Sequence, residues 1–222
     1  MSSERILQII SLLPGATFET VYMTFISAFF ACLLGFPLGV YLYVASPAGL
    51  APRRMLYSVV SQLVNLFRSI PFIILMVLLI PVTRMIVGTS IGPTAAIVPL
   101  SIAAAPFFAR ITEAAISEVD LGVITAAKAM GSTNLQIVRK VLIPEAMPAL
   151  VSGLALTIIN LIAYSAMAGA IGGRGLGDLA IRYGFHRFQT DVTIGAVIVI
   201  LILVQVVQVA GTLISRNLLS KR

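Results

Sequence analysis

From Val21 to Val44 the chain carries no charged side chain. A helix rising about 1.5 Å per residue crosses a hydrocarbon layer of about 30 Å in roughly 20 residues, so this run suffices. Lipid offers no partners for backbone N–H and C=O groups, so such a segment must satisfy them internally. The pattern recurs. Ser58 to about Val82 carries only Arg68, and Pro93 reaches about Ala109 or Ala115 through Pro99 and Pro106. Met147 to Ile171 and Val192 to Leu213 complete five candidate spans. Gly35, Pro37 and Gly39 predict a bend in the first. The prolines of the third require neighbouring helices or water to satisfy the carbonyls they free.

The composition agrees. Of 222 residues, 59% are hydrophobic and 10% charged, against about 45–50% and 25% in soluble domains. That excludes a soluble globular domain, a disordered chain and a coiled coil. Cys32 and His186 are the single cysteine and the single histidine, too few for a disulfide framework or a Cys/His metal site. The net charge of +7 follows from basic residues at span ends. No basic run interleaved with aromatics marks a nucleic-acid surface.

Near the N-terminus, Ile6, Ile9, Ile10 and Leu13 share a helical face opposite Glu4, Gln8 and Ser11. No small-x-small cleavage site follows, so residues 1–16 are expected as a short interfacial helix rather than a cleaved signal. Residues 17–214 form the membrane domain, and 215–222 a basic tail. Five spans place the termini on opposite sides. One side collects Arg53, Arg54, Arg110, Lys128, Arg139, Lys140, Arg216, Lys221 and Arg222; the other has Arg5, Arg84, Arg174, Arg182 and Arg187. The positive-inside rule puts the N-terminus outside and the C-terminus in the cytoplasm.

The stretch Ser117 to Pro144 is too long for a turn and too polar for a span. An Ala-rich helix over about Val119 to Met130 has Glu118 and Asp120 at its positive end. Gly131 sits where an αL residue ends a helix, and Thr133 with Gln136 forms a capping box for a second helix. That helix aligns Leu135, Val138, Val141 and Leu142, and Pro144 is expected to end it. Small residues Ala126, Ala127 and Ala129 would let another surface approach closely. An ordinary helical loop folded onto the membrane would also fit this composition.

The segment resembles the "EAA" loop of ABC importer permeases. Ala126-Ala127, then Gly131, then Val141-Leu142-Ile143-Pro144 keep that spacing, with Thr125, Val141 and Ile143 replacing Glu, Ile and Leu. Arg68-Ser69-Ile70-Pro71-Phe72 is similar to an Arg-x-x-Pro segment of amino-acid permeases in this family. Tyr164 to Gly173, followed by Gly175-Leu176-Gly177, resembles its methionine branch, as does Ala129-Met130-Gly131-Ser132 with Gln136 to Lys140. The resemblance covers about residues 17–214. It implies an all-α integral membrane protein of the type I ABC importer permease fold, with five transmembrane helices per subunit. A cytoplasmic coupling helix lies between spans three and four, and the subunit is expected as a homodimer in a bacterial inner membrane.

Thr125, Ala126, Ala127, Lys128, Ala129, Met130, Gly131 and Pro144 would then dock on a separate ATPase subunit. Two such ATPases would hold ATP and Mg, leaving no cofactor in this chain, and an external substrate-binding protein would deliver methionine. Another amino acid or small solute is the alternative cargo. No Walker A is present: Gly172-Gly173-Arg174-Gly175-Leu176-Gly177-Asp178 lacks the Gly-Lys-Ser/Thr ending and reads as a tight outer loop. An intramembrane enzyme would need a His at membrane depth or clustered carboxylates; His186 lies in a loop and the eight acids are scattered.

Arg68, about 10 residues into span two, has two readings. An intramembrane arginine faces protein or water, so it lines the translocation path or a gate, or it ties to helix carbonyls or to Asn65. In span four, Asn160 and Tyr164 share a face. With Ser165 and Met167 they are candidate path or gate residues, Met167 as a flexible plug or else a lipid-facing or core methionine. Gln205 and Gln208 are expected to donate hydrogen bonds between helices.

Overall fold

A computed structural model describes residues 3–220, with side-chain surroundings from Ser11 onward. Among these residues every regular element is a helix. Helix α1 (Ser3–Ala45) runs unbroken through Pro14 and Pro37. No break therefore separates the expected interfacial segment from span one. The apolar face at Ile6, Ile9 and Ile10 lies outside the described side chains.

Gly35 and Gly39 serve a close approach. A Cβ on Gly35 would stand 2.5 Å from the Ala105 carbonyl oxygen, and one on Gly39 would stand 2.5 Å from Thr112 Cβ and collide with the Ala109 carbonyl. These residues form a Gly-x-x-x-Gly pair on α1 facing an Ala-x-x-x-Ala pair on α5 (Pro93–Ser117). Small residues at this spacing let membrane helices meet backbone to backbone, where packing replaces the hydrophobic drive that lipid cannot supply. Pro99 and Pro106 lie buried inside the continuous α5.

Span two departs from expectation. The segment read as one span is α2 (Arg54–Ser69), α3 (Phe72–Leu78) and α4 (Ile80–Val87), with α2 and α3 bent by 101° about Ile70-Pro71. Pro71 has no N–H to continue the ladder, and it pushes Ile70 to extended backbone (ψ 123°). Among the described residues four helices are long and apolar enough to cross a membrane, and the count is five if the bent pair is one span.

The polar element between spans three and four begins with α6 (Leu121–Ala129), capped by Asp120, whose side chain accepts the Gly122 amide. Gly131 has φ +76°. The Thr133–Gln136 capping box opens α7 (Asn134–Ile137), as expected. Pro144 does not end this helix. A π-helical turn at Val138–Leu142 carries the chain into α8 (Ile143–Ala168). The wider turn re-phases the ladder where the Pro144 amide is missing. It also changes the buried face: Ile137, Val138 and Leu142 are inside, whereas Leu135 is 62% exposed. A kink at Gly169–Gly173, with non-helical backbone at Ile171 and at Gly172 (φ +96°), leads to α9 (Gly175–Leu179) and a π turn, Ala180–Phe185. Helix α10 (Thr190–Leu219) follows and continues through most of the expected tail. Ser215 is buried and donates to the Pro148 carbonyl at 2.9 Å. Gln208 bonds Thr212 within α10 at 3.5 Å, not another helix.

Candidate functional site

The α6–α7 element divides the expected docking residues by the turn of the helix. Ile124 and Ala127, three apart, are buried against Ile137, Val138, Leu142 and Tyr43. Ala127 is therefore a packing residue of this chain. Thr125, Ala126, Lys128 and Ala129 are exposed, and Pro144 is exposed nearby. Leu121 is 70% and Met130 80% exposed.

Arg68 lies on the last turn of α2, beside the break rather than within a continuous span. It shares a cavity of about 230 Å³ with Phe67, Ile70, Phe72, Phe107 and Tyr164. Its guanidinium lies 5.9 Å from the Phe107 ring centroid, and Phe72 and Tyr164 stack at 4.8 Å, 5° from parallel. Among the described residues no carboxylate comes within ion-pair distance of Arg68. Thus Arg68 and Tyr164 come together. Ser165 is buried with its hydroxyl donated to the Ile162 carbonyl at 2.7 Å. Asn160 is half-buried and Met167 exposed, and neither lines this cavity.

Below the cavity, Ser58, Gln62, Asn65 and Ser69 form an exposed polar stripe on α2. Their spacing of three and four was available as a signal. Arg110 anchors this helix. It lies inside α5, not in a loop, and pairs with Glu113 at 2.6 Å. It also donates to Ser61 O at 2.8 Å and Asn65 Oδ1 at 3.0 Å, while Tyr57 donates to Glu113 Oε1 at 3.0 Å. The Arg110 and Glu113 side chains are 18% and 12% exposed. Charges so placed are retained in an apolar setting when paired and hydrogen-bonded. The i, i+3 pair was legible; its partners on α2 were not.

The glycine-rich loop is closed on itself. Gly175 N–H donates to Glu19 Oε2 and Leu176 N–H to Thr20 Oγ1, each at 2.9 Å. Arg174 pairs with Glu19 at 3.7 Å. The amides a phosphate would need are thus spent on α1. Arg174 itself adopts φ +62°, ψ −159°, a region that is essentially glycine-only and costs about 1–3 kcal/mol. Thr20 is 2% exposed. Thr20→Val should leave the buried Leu176 amide unsatisfied and lower stability by about 1–3 kcal/mol. Thermal unfolding of the purified protein in detergent checks this, and a wild-type midpoint would contradict it. His186 is exposed against Phe185. Among the described residues no three His, Cys, Asp or Glu side chains gather to hold a metal ion.

The family model described as "Binding-protein-dependent transport system inner membrane component" matches residues 35–221. The probable D-methionine transport system permease protein MetI of Vibrio cholerae serotype O1 is 48% identical over 206 residues, 93% of this chain and 92% of that protein. Its Escherichia coli (strain K12) counterpart is 56% identical over 158 residues, 71% of this chain and 73% of that one. A chain of the MetNI methionine ABC transporter, solved in inward-facing conformations, superposes with TM-score 0.92 at 48% identity, covering 98% of this chain and 99% of that one. A chain of an amino acid ABC transporter solved with histidines has TM-score 0.79 at 22% identity, a likeness of fold.

Proposed function

Because the chain belongs to the family of binding-protein-dependent transport system inner membrane components, we propose that it is the permease subunit of an ATP-driven methionine importer. The observation that carries the cargo is its near-full-length identity to permeases named for methionine transport. Five spans are too few to enclose a path, so two copies would form it. ATP and Mg belong to two ATPase subunits, which would grip the exposed face of α6 at Leu121, Thr125, Ala126, Ala129 and Met130, with Gly131 setting the turn. An external substrate-binding protein would deliver cargo opposite, with this chain's N-terminus outside and C-terminus in the cytoplasm, as its basic residues favour. Nucleotide binding would draw the paired α6 elements together and open the path outward; hydrolysis would let it relax inward. Arg68, Tyr164 and the α2 stripe suit the wall of that path. Asn160, Ser165 and Met167 stay as path or gate positions on α8.

The test is ATP-dependent uptake of labelled methionine by cells lacking methionine import. They would express this chain with its ATPase and binding protein. Uptake that requires all three is expected. A complex that hydrolyses ATP but carries no methionine would leave the importer class and overturn the cargo. Failure of any ATPase to co-purify would overturn the coupling role.

A further inference from the structure

We propose that a groove between α1, α8 and α10 binds one anionic phospholipid, its acyl chain along α8 and its phosphate against Arg139 and Lys140. Such a site needs only that the chain spans a membrane, whatever its cargo. Two cavities of about 200 Å³ each lie along α8 and share Val151 and Leu154. One continues past Ala155 and Ile158, between Phe25 of α1 and Val206 of α10. The other continues to Met147, beside Cys32 and Phe36 of α1. From Met147 to Ile158 the groove follows about 16 Å of helix, close to one leaflet's half of a hydrocarbon core about 30 Å thick.

Small residues make the groove deep. Helices α8 and α10 meet closely at its floor, where a Cβ on Gly211 would collide with the Ala155 side chain. No charged side chain lines either cavity. An acyl chain fits there and a headgroup does not. Bulk lipid is as apolar as the groove, so the acyl contact alone selects no particular lipid. Selection falls to the headgroup.

At the Met147 end, α8 continues into the π turn Val138–Leu142. Phe36 of the groove wall packs against the same buried cluster as Val141 and Ile143, the cluster that holds Leu142. Arg139 and Lys140 sit on that turn, about two helical turns beyond Met147, and both are exposed. The interval leaves room for ester and glycerol groups, and long basic side chains reach toward the interface. Among the described residues no carboxylate lies within ion-pair distance of either. The nearby Glu118, Asp120 and Glu145 line a different cavity, between α5, α8 and α10. Leu50 packs on the cluster around Leu142, and Arg53 donates its N–H to the Ala45 carbonyl at 3.0 Å, so the exposed Arg53 and Arg54 stand at this end too. Basic residues at span ends are ordinary. Here an apolar groove one leaflet long leads away from them, and it gives their attraction for anionic lipid a defined seat.

The experiment uses the purified permease–ATPase complex in phosphatidylcholine nanodiscs. These are doped with phosphatidylglycerol carrying a diazirine in its acyl chain or, in parallel, with phosphatidylcholine carrying the same group. After illumination, mass spectrometry maps the adducts. The phosphatidylglycerol probe should label the peptides of Cys32, Val151 and Leu154, and the phosphatidylcholine probe should label them far less. Excess unlabelled phosphatidylglycerol should remove these adducts, and phosphatidylcholine should not. A basic residue near anionic lipid is worth roughly fivefold in occupancy. Arg139→Gln with Lys140→Gln should therefore lower the yield at least about tenfold. Ala210→Phe, at an exposed position lining the groove, should lower it without touching the charges. Equal labelling by the two probes would overturn the proposal, a result readable even if both variants fail to assemble. An absence of adducts in the groove, as when a second copy covers it, would also overturn it. So would unchanged labelling of the double variant, as when the ATPase covers the two cations.

Discussion

Gly39→Leu is expected to abolish stable protein, whereas Gly15→Leu should leave it at the unsubstituted level. Both glycines lie on the same helix, so intrinsic helix propensity cannot separate them. Their surroundings do. A Cβ on Gly15 meets nothing within 4 Å, while one on Gly39 collides with the Ala109 carbonyl and stands 2.5 Å from Thr112 Cβ. The first obstacle is backbone of a buried helix, which cannot rotate away as a side chain would. Relief requires α1 and α5 to separate. Along α1, Met23, Thr24, Ser27, Ala28, Ala31 and Leu42 are also buried, so separation would loosen a long seam. Membrane helices hold together by close packing, and a gap of 0.5–1 Å forfeits about a quarter to a half of each contact. Overpacking alone costs about 1–3 kcal/mol. With the seam opened the loss should exceed about 3 kcal/mol, more than 100-fold in the folded population. Recovery of monodisperse protein from detergent-solubilised membranes checks this. A Gly39→Leu protein with normal yield and normal thermal midpoint would show that the α1–α5 contact is not a main support of the fold.

Residues that act on their immediate neighbours were legible in the sequence, and residues whose effect depends on distant partners were not. Asp120, Gly131, Thr133 and Gln136 act within a few residues of themselves. Caps and αL turns are local: the structure carries the Gly131 turn and the Thr133–Gln136 capping box as expected, while Asp120, read as a charge at the helix's positive end, caps α6 from just outside it. The prolines act through distant partners. Pro99 and Pro106 stay inside α5, which α1 and α8 enclose. Pro144 stays inside a continuous helix because a π turn absorbs it. Pro71, beside Arg68 and the polar stripe of α2, breaks its helix by 101°. Nothing adjacent in sequence distinguishes these cases. What distinguishes them is whether a neighbouring helix compensates the lost amide.

Candidate site residues follow the same division. The i, i+3 rule places Ala127 on the Ile124 face, buried, and leaves Ala126 and Ala129 exposed. Tyr164 meets Phe72 across about 90 positions of sequence, a contact that no local pattern encodes. Gly35 and Gly39 with Pro37 predict a bend from sequence, yet their spacing by four also marks a small-residue interface, and that is the role the α1–α5 contact gives them.

Gly131→Asp is expected to leave the permease folded yet uncoupled, and Gly88→Asp provides its matched control. Both glycines lie in the left-handed region, at φ +76° and +81°, and a Cβ at either meets nothing within 4 Å. The cost within the chain is thus the same in kind: an L-residue held in αL, about 1–2 kcal/mol and less for Asp, whose side chain tolerates it. Neither substitution should unfold the protein. They differ in what lies around them. Gly88 caps α4. Gly131 ends α6 directly after Met130, next to the exposed Leu121–Ala126–Ala129 surface. On the coupling reading this surface enters a cleft on the ATPase. A new charged side chain there must be desolvated without a partner, the kind of change that costs most at an interface centre. Uptake should fall at least about tenfold for Gly131→Asp, with less ATPase co-purifying, and change less than about twofold for Gly88→Asp. Equal losses would point to backbone strain and sink the docking assignment. A loss at Gly131 alone, with monodisperse permease of unchanged melting behaviour, would place the defect at the contact between the α6 turn and the ATPase.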